Sequence, residues 1–229
     1  MPSFYVAVCT RRELSPEWTL AYGTILGSCF MLGGFENVSW SFDTSFPLDK
    51  ARNQCVKEML QKKADYILFV DDDVLPPSEG VVKLFHDALP IVSGLYYHKT
   101  QPYTPLIARR KDRSKPWNLE DKTVKWDVDF ARNYPKNQLV EVDAAGLGFA
   151  LIMREVFEKV REPWFKSTET YGEDFYFYWK ARQAGFKGYV DTSVKCLHIA
   201  NTFIGEESML REEFTKHWKR QKAFFSEDK

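Results

Sequence analysis

Three aspartates in succession, Asp71, Asp72 and Asp73, follow the apolar run YILFV and precede Pro76 and Pro77. Adjacent carboxylates repel, so gathering them at the end of a buried stretch points to a cation, a proton or a solvated bend. Side chains alternate along an extended backbone, so Asp71 and Asp73 are expected on one side and Asp72 on the other. That leaves a D-x-D pair able to share one site. Hard divalent cations take oxygen ligands, and Mg²⁺ typically sits on one or two carboxylates plus substrate phosphates. A second acidic pair, Glu173-Asp174, opens the segment GEDFYFYWKARQAGF, where the positive end of a helix dipole favours negative charge. His198 follows at the end of KGYVDTSVKCLHI. Each feature also has a plainer origin: an acidic turn capping a helix at Ser78, helix caps at Glu173-Asp174, a structural histidine on an apolar strand. Their combination in one chain points to a site.

For these residues to meet, distant segments must converge on one edge. FYVAVCT reads as a first strand, and Pro16 opens a helix to about Met31, stopped by Gly33-Gly34. NVSWSFDT alternates as a strand. Leu48, Ala51, Cys55, Met59 and Leu60 recur at helical spacing to about Lys63. YILFV is a continuous apolar run, the pattern of a central parallel strand covered on both faces. A helix over 78–87 and strands at PIVSGLYY and PLIARR follow. Residues 109–138 are dense in charge and broken by prolines, which predicts a surface excursion with a short hairpin. LVEVDAAGLGFALIMREVFEKV predicts a strand, a small-residue turn and a helix. GEDFYFYWKARQAGF predicts a helix stopped at Gly185, and a strand ending in His198 closes the sheet. The alternation predicts a single α/β domain over 1–205, with a mostly parallel central sheet flanked by helices. In such sheets ligands bind beyond the carboxyl ends of the strands. From Glu206 to Phe225, Leu210, Phe214 and Trp218 lie four apart, giving an amphipathic helix. Its Arg211, Lys216, Lys219, Arg220 and Lys222 suit a peripheral membrane contact, its apolar face a dock on its own domain.

The 229 residues carry 32 Lys plus Arg against 32 Asp plus Glu, so no overall field draws the chain to nucleic acid. No apolar run approaches the ~20 residues of a spanning helix, and the N-terminus lacks the basic region of a signal peptide. Four cysteines without a CxxC pair suggest a reducing compartment and a cytoplasmic location.

Four segments in this order resemble the GT-A-fold nucleotide-sugar glycosyltransferases, in the broad family-2-like group. ARNQCVKEML is similar to the segment heading the helix before the D-x-D strand, and LFVDDDV to that strand. VDAAGLGFALIMREVFEKV is similar to the donor-sugar turn and following helix, and GEDFYFYWKARQAGFK to the E-D helix. The resemblance runs from FYVAVCTRR to CLHI. Two places depart from the pattern: Cys9-Thr10-Arg11-Arg12 stands where P-x-Y/F-N is usual, and SFDTSFPLDK where D-D-G-S is usual. The nucleotide, UDP or GDP, therefore stays open.

The resemblance implies transfer of a sugar from a nucleotide-diphosphate donor to a hydroxyl of a carbohydrate or glycoconjugate. Residues 1–100 would form the nucleotide-binding half, and 101–205 the acceptor and catalytic half. Asp73 and His198 would hold Mn²⁺ or Mg²⁺, the imidazole tilting the choice toward Mn²⁺, and Asp71 would reach the metal or the ribose. Thr10, Arg11, Arg52, Asp71 and Asp72 would contact the donor, and Gly146 and Gly148 would leave room for its sugar. Asp174 would be the general base, with Glu173 as fallback or orienting partner. Trp164 and the Trp117–Tyr134 region offer aromatic faces for an acceptor, or plain packing. Two other functions share these letters. A haloacid-dehalogenase-like phosphotransferase also places D-x-D-x-[TV] after an apolar strand, though usually the first. A carbohydrate-binding subunit without turnover would not need every acid retained here.

Overall fold

The computed structural model describes residues 1–10, 13–115, 117–121, 127–200 and 203–209. In chain order the first elements are strand β1 (Phe4–Cys9), helix α1 (Pro16–Gly33), β2 (Val38–Asp43), α2 (Leu48–Lys62), β3 (Tyr66–Asp71), β4 (Val74–Leu75) and α3 (Gly80–His86). The chain continues through β5 (Ile91–Leu95), β6 (Ile107–Arg110), β7 (Val128–Phe130), β8 (Leu139–Val142), β9 (Ala144–Ala145), β10 (Phe149–Met153) and α4 (Arg154–Lys159). It closes with α5 (Glu173–Gln183), β11 (Gly188–Lys195), β12 (Leu197–Ile199) and β13 (Phe203–Ile204).

The central sheet has the order β2-β1-β3-β10-β5-β11-β8. β1 runs parallel to both β2 and β3, and β5 parallel to β11, whereas β10 and β8 run against their neighbours. This is the mostly parallel α/β sheet expected from the alternation of elements. β1 is buried throughout, and its alternating side chains divide the core: Phe4, Val6 and Val8 pack with Trp18, Ile25 and Cys29 of α1 and Val81 and Leu84 of α3. Tyr5, Ala7 and Cys9 face the other layer, with Ala51, Cys55 and Met59 of α2 and Phe177 of α5. The Ser15 hydroxyl caps α1 by accepting from the Trp18 amide at 3.1 Å, and Gly34 (φ 76°) ends it in a conformation glycine adopts without strain. Gly185 (φ 89°) follows α5 in the same way.

Two expectations need correction. FALIM, predicted as part of a helix, is strand β10, wedged between β3 and β5, and only Arg154–Lys159 is helical. A short apolar run fits a buried strand as well as a buried helix, and its place in the sheet decided the outcome. His198 does not end the central strand either. The chain leaves the sheet at Cys196, and His198 sits on β12, in a small sheet with β4 and β13. The strand expected at PLIARR is β6, and within 109–138 a single further strand, β7, pairs antiparallel with it, in place of a separate hairpin among the described residues. Residues 206–209 begin a helical turn; the rest of the predicted amphipathic helix, and Arg11, lie outside the described residues. No helix among the described residues is long and apolar enough to cross a membrane.

Candidate active site

β3 carries Asp71 to the carboxyl edge of the sheet, where neighbours from both layers fix it. The Trp18 indole N–H donates to the Asp71 carbonyl at 2.8 Å, and the Asp71 amide donates to the Gly148 carbonyl at 2.8 Å. Both carboxylate oxygens of Asp71 accept from Arg52 Nη2, at 2.9 and 3.2 Å. Arg52 stands one turn into α2, 2% exposed, and its Nε donates to Glu173 Oε1 at 3.3 Å. One guanidinium thus joins the aspartate strand to the first residue of α5. Burial opposes its charge, but Asp71 and Glu173 more than compensate and raise its pKa. Arg52 Nη1 is buried with no hydrogen-bond partner among the described residues. Burial raises the Asp71 pKa in spite of Arg52.

Asp174 follows at the α5 N-terminus, its Oδ1 accepting from the Phe175 amide at 2.8 Å. Burial first, and then the Glu173 charge, push its carboxyl up to about 7, against the pull of that amide and of Arg52. A carboxyl poised there can hold or release a proton near neutrality.

β3 ends at Asp71 and the next two residues turn, so the alternation expected to set Asp71 and Asp73 on one face does not operate. Asp71 meets Arg52, Asp72 Oδ2 accepts from the Thr10 hydroxyl at 2.7 Å, and Asp73 turns to the small sheet. There, pairing of β4 with β12 sets His198 opposite Val74, and the Ile199 amide donates to the Asp73 carbonyl at 2.7 Å. His198 Nε2 lies 3.3 Å from Asp73 Oδ1, and the Lys99 ammonium donates to Asp73 Oδ2. Burial alone would raise the Asp73 pKa, but His198 and Lys99 outweigh it and hold the carboxyl at about 2. His198 Nδ1 is 2.6 Å from the Tyr97 carbonyl, which can only accept, so Nδ1 carries a hydrogen and a neutral ring keeps its lone pair on Nε2.

Thr10, Asp72 and Asp73 join Cys9, Asp43, Ser45, Leu48 and Ala51 around a cleft of about 240 Å³. It lies beyond the carboxyl ends of β1, β2 and β3. A second cavity, about 220 Å³, is lined by Leu119, Glu120, Asp121 and the run Lys166–Tyr171 that leads into α5. Arg52, Asp71 and Glu173 therefore meet, Asp73 meets His198, and Thr10 meets Asp72.

The expected room at Gly146 is filled from within the protein. A Cβ there would sit 2.1 Å from the Tyr96 hydroxyl, and one at Gly148 2.9 Å from both that hydroxyl and Asp71 Oδ2. These glycines let Tyr96 and Asp71 approach the backbone, and the Gly148 amide donates to Tyr96 Oη at 2.8 Å. Trp164 is buried with its indole N–H on the Phe157 and Val160 carbonyls, and Trp117 and Tyr134 are buried too, so all three pack. Asn53 binds the backbone of Trp164 and Phe165. Sequence reasoning missed Lys99, Tyr96 and Asp43. Asp43 alone carried a local signal, as the acid ending an alternating strand.

No family model matches the sequence, and no curated protein matches it. Among solved structures the chain is similar to A197 from STIV, at 21% identity and a TM-score of 0.57, with 86% of each chain covered. It is also similar to GalNAc-T7 with UDP, GalNAc and Mn²⁺, at 14% identity and a TM-score of 0.51, over 87% of this chain and 44% of that one. At these identities the likeness is one of fold, a GT-A-like α/β architecture.

Proposed function

We propose that this protein is a metal-dependent glycosyltransferase that moves a sugar from a nucleotide-diphosphate donor to an acceptor hydroxyl. The observation that carries it is the meeting of Asp73 with His198 at the same sheet edge as the Arg52–Asp71–Glu173 cluster and Asp174. The Asp73–His198 pair fits a divalent ion. Two ligands at right angles on a six-coordinate ion, each about 2.1 Å from it, are about 3 Å apart, and Oδ1 and Nε2 are 3.3 Å apart. Among the described residues no group of three such ligands gathers, so Asp73 and His198 would hold the ion and its other positions would be left to phosphate and water. Carboxylate plus imidazole suits Mn²⁺ slightly better than Mg²⁺. When bound, the ion offsets charge growing on the leaving diphosphate without a proton.

The cleft at Thr10 and Asp72 receives the nucleoside, with Asp43 beside Thr10 in its lining. Arg52 pairs with Asp71 and fixes it against α5, and its unpartnered Nη1 offers a donor at the cluster. Asp174 takes the proton of the acceptor hydroxyl as that oxygen attacks the anomeric carbon, and in-line attack inverts the configuration. The acceptor lies in the cavity beside Lys166–Tyr171, next to the start of α5. The phosphotransferase alternative needs Asp71 as a nucleophile, and Arg52 engages both of its oxygens. The test is thermal stabilisation with Mn²⁺ plus UDP or GDP, followed by donor hydrolysis across a nucleotide-sugar series. Metal-dependent stabilisation by one nucleotide supports the proposal. Stabilisation by phosphate analogues but neither nucleotide would transfer it to the phosphotransferase class.

A further inference from the structure

Between β5 and β6 the chain makes a narrow excursion closed by three backbone hydrogen bonds, Leu106 to Tyr96 (2.9 Å), His98 to Thr104 (3.0 Å) and Tyr103 to Thr100 (2.9 Å). Its tip carries Lys99, and the closure brings the ammonium onto Asp73 Oδ2 while His198 faces Oδ1. The Lys99 side chain is 32% exposed, against 17% for Asp73 and 13% for His198, so the cation approaches from the solvent side. A lysine is a point charge on a flexible stem and moves readily between anionic partners. A divalent ion on Asp73 would repel the ammonium at contact range, and a diphosphate arriving with that ion would offer it new oxygens.

We propose that Lys99 is a tethered counter-ion of the metal site. It neutralises Asp73 while the donor is absent, gives way to the divalent ion, and passes to the donor diphosphate. This rests on Asp73 and His198 being the metal pair. The consequence is coupling: metal alone binds weakly because it must displace Lys99, and metal with nucleotide binds tightly because the displaced charge finds a partner.

The test is Mn²⁺ binding to the full chain, measured by electron paramagnetic resonance and calorimetry, with Mn²⁺ alone and then with UDP or GDP. Lys99→Met should bind Mn²⁺ alone about 5- to 10-fold more tightly than wild type, the amount a partly exposed ion pair opposes. Its gain on adding nucleotide should shrink, and Lys99→Arg should behave as wild type. Lys99→Gln, which keeps a polar tip, guards against a folding defect and should follow Lys99→Met. If both neutral variants bind Mn²⁺ alone no more tightly than wild type, the counter-ion role is wrong, even where Mn²⁺ and nucleotide still bind together. If no variant, wild type included, binds Mn²⁺ with or without nucleotide, the metal pair and the proposed function fall with it.

Discussion

Asp174→Asn isolates the proton-holding carboxyl at the start of α5. Asparagine keeps an Oδ1 to accept from the Phe175 amide and removes only the charge that burial and Glu173 disfavour. Because the folded state raises this carboxyl from 3.8 to about 7, it holds more protons than the unfolded chain between those values. Wild-type stability therefore falls as pH rises through that window. A tenfold difference in proton affinity between folded and unfolded chain is worth about 1.4 kcal/mol. The ionised group thus opposes folding by a few kcal/mol, about 4 at pH 8, less than half of that at pH 5, and almost nothing at pH 3. Asparagine escapes this. Its advantage over wild type should grow by about 2–3 kcal/mol from pH 5 to pH 8, roughly 5–10 °C in melting temperature for a chain of this size. Paired thermal melts at the two pH values measure it, and a constant wild-type–variant difference would refute the raised carboxyl. Donor affinity should be nearly unchanged while turnover falls by at least about 100-fold, the scale of a lost general base.

Wild-type turnover should rise with pH through about 7, as Asp174 loses its proton, and a profile flat across neutrality would assign the base elsewhere. Asp73→Ala should abolish Mn²⁺-dependent nucleotide binding in calorimetry and lower the melting temperature by several degrees at neutral pH, because the folded state loses the pairs with His198 and Lys99. His198→Ala should weaken Mn²⁺ binding about 10- to 100-fold, and a loss of stability with metal affinity intact would make the ring structural. Arg52→Met should cost about 3–5 kcal/mol in denaturant unfolding, because Asp71 and Glu173 lose a buried counter-charge together. Gly146→Ala, driving a methyl into the Tyr96 hydroxyl, should cost about 1–3 kcal/mol.

How much of this was legible in the sequence depended on distance along the chain. YILFV declared a central strand because it is apolar throughout, α2 declared itself through helical spacing, and α5 through its acidic start and the stop at Gly185. The acids at 71–73 and 173–174 were visible by position, yet their partners were not. That Asp71 binds Arg52 follows from α2 crossing over β3, and that Asp73 meets His198 follows from a two-residue strand, β4, pairing with β12. No local pattern announces a strand so short. Lys99 left no signal, since a lysine after a strand is ordinary and only loop closure at Tyr96 and Leu106 brings it to Asp73. The glycines at 146 and 148 were noticed for the right property, the lack of a side chain, but the occupant of the space is a tyrosine from β5's continuation.

The reversed direction of β10 has a consequence for how such a site can change. In an all-parallel arrangement every strand would depart from the floor of the crevice, and only exit loops could shape it. Here β10 enters at that floor from within the sheet: Phe149 pairs with Val70, so the segment just before it, with Gly146 and Gly148, abuts Asp71 and Tyr96. An incoming connection thereby becomes a wall of the pocket, and substitutions in it can remodel recognition while the packed ribbon behind keeps its register.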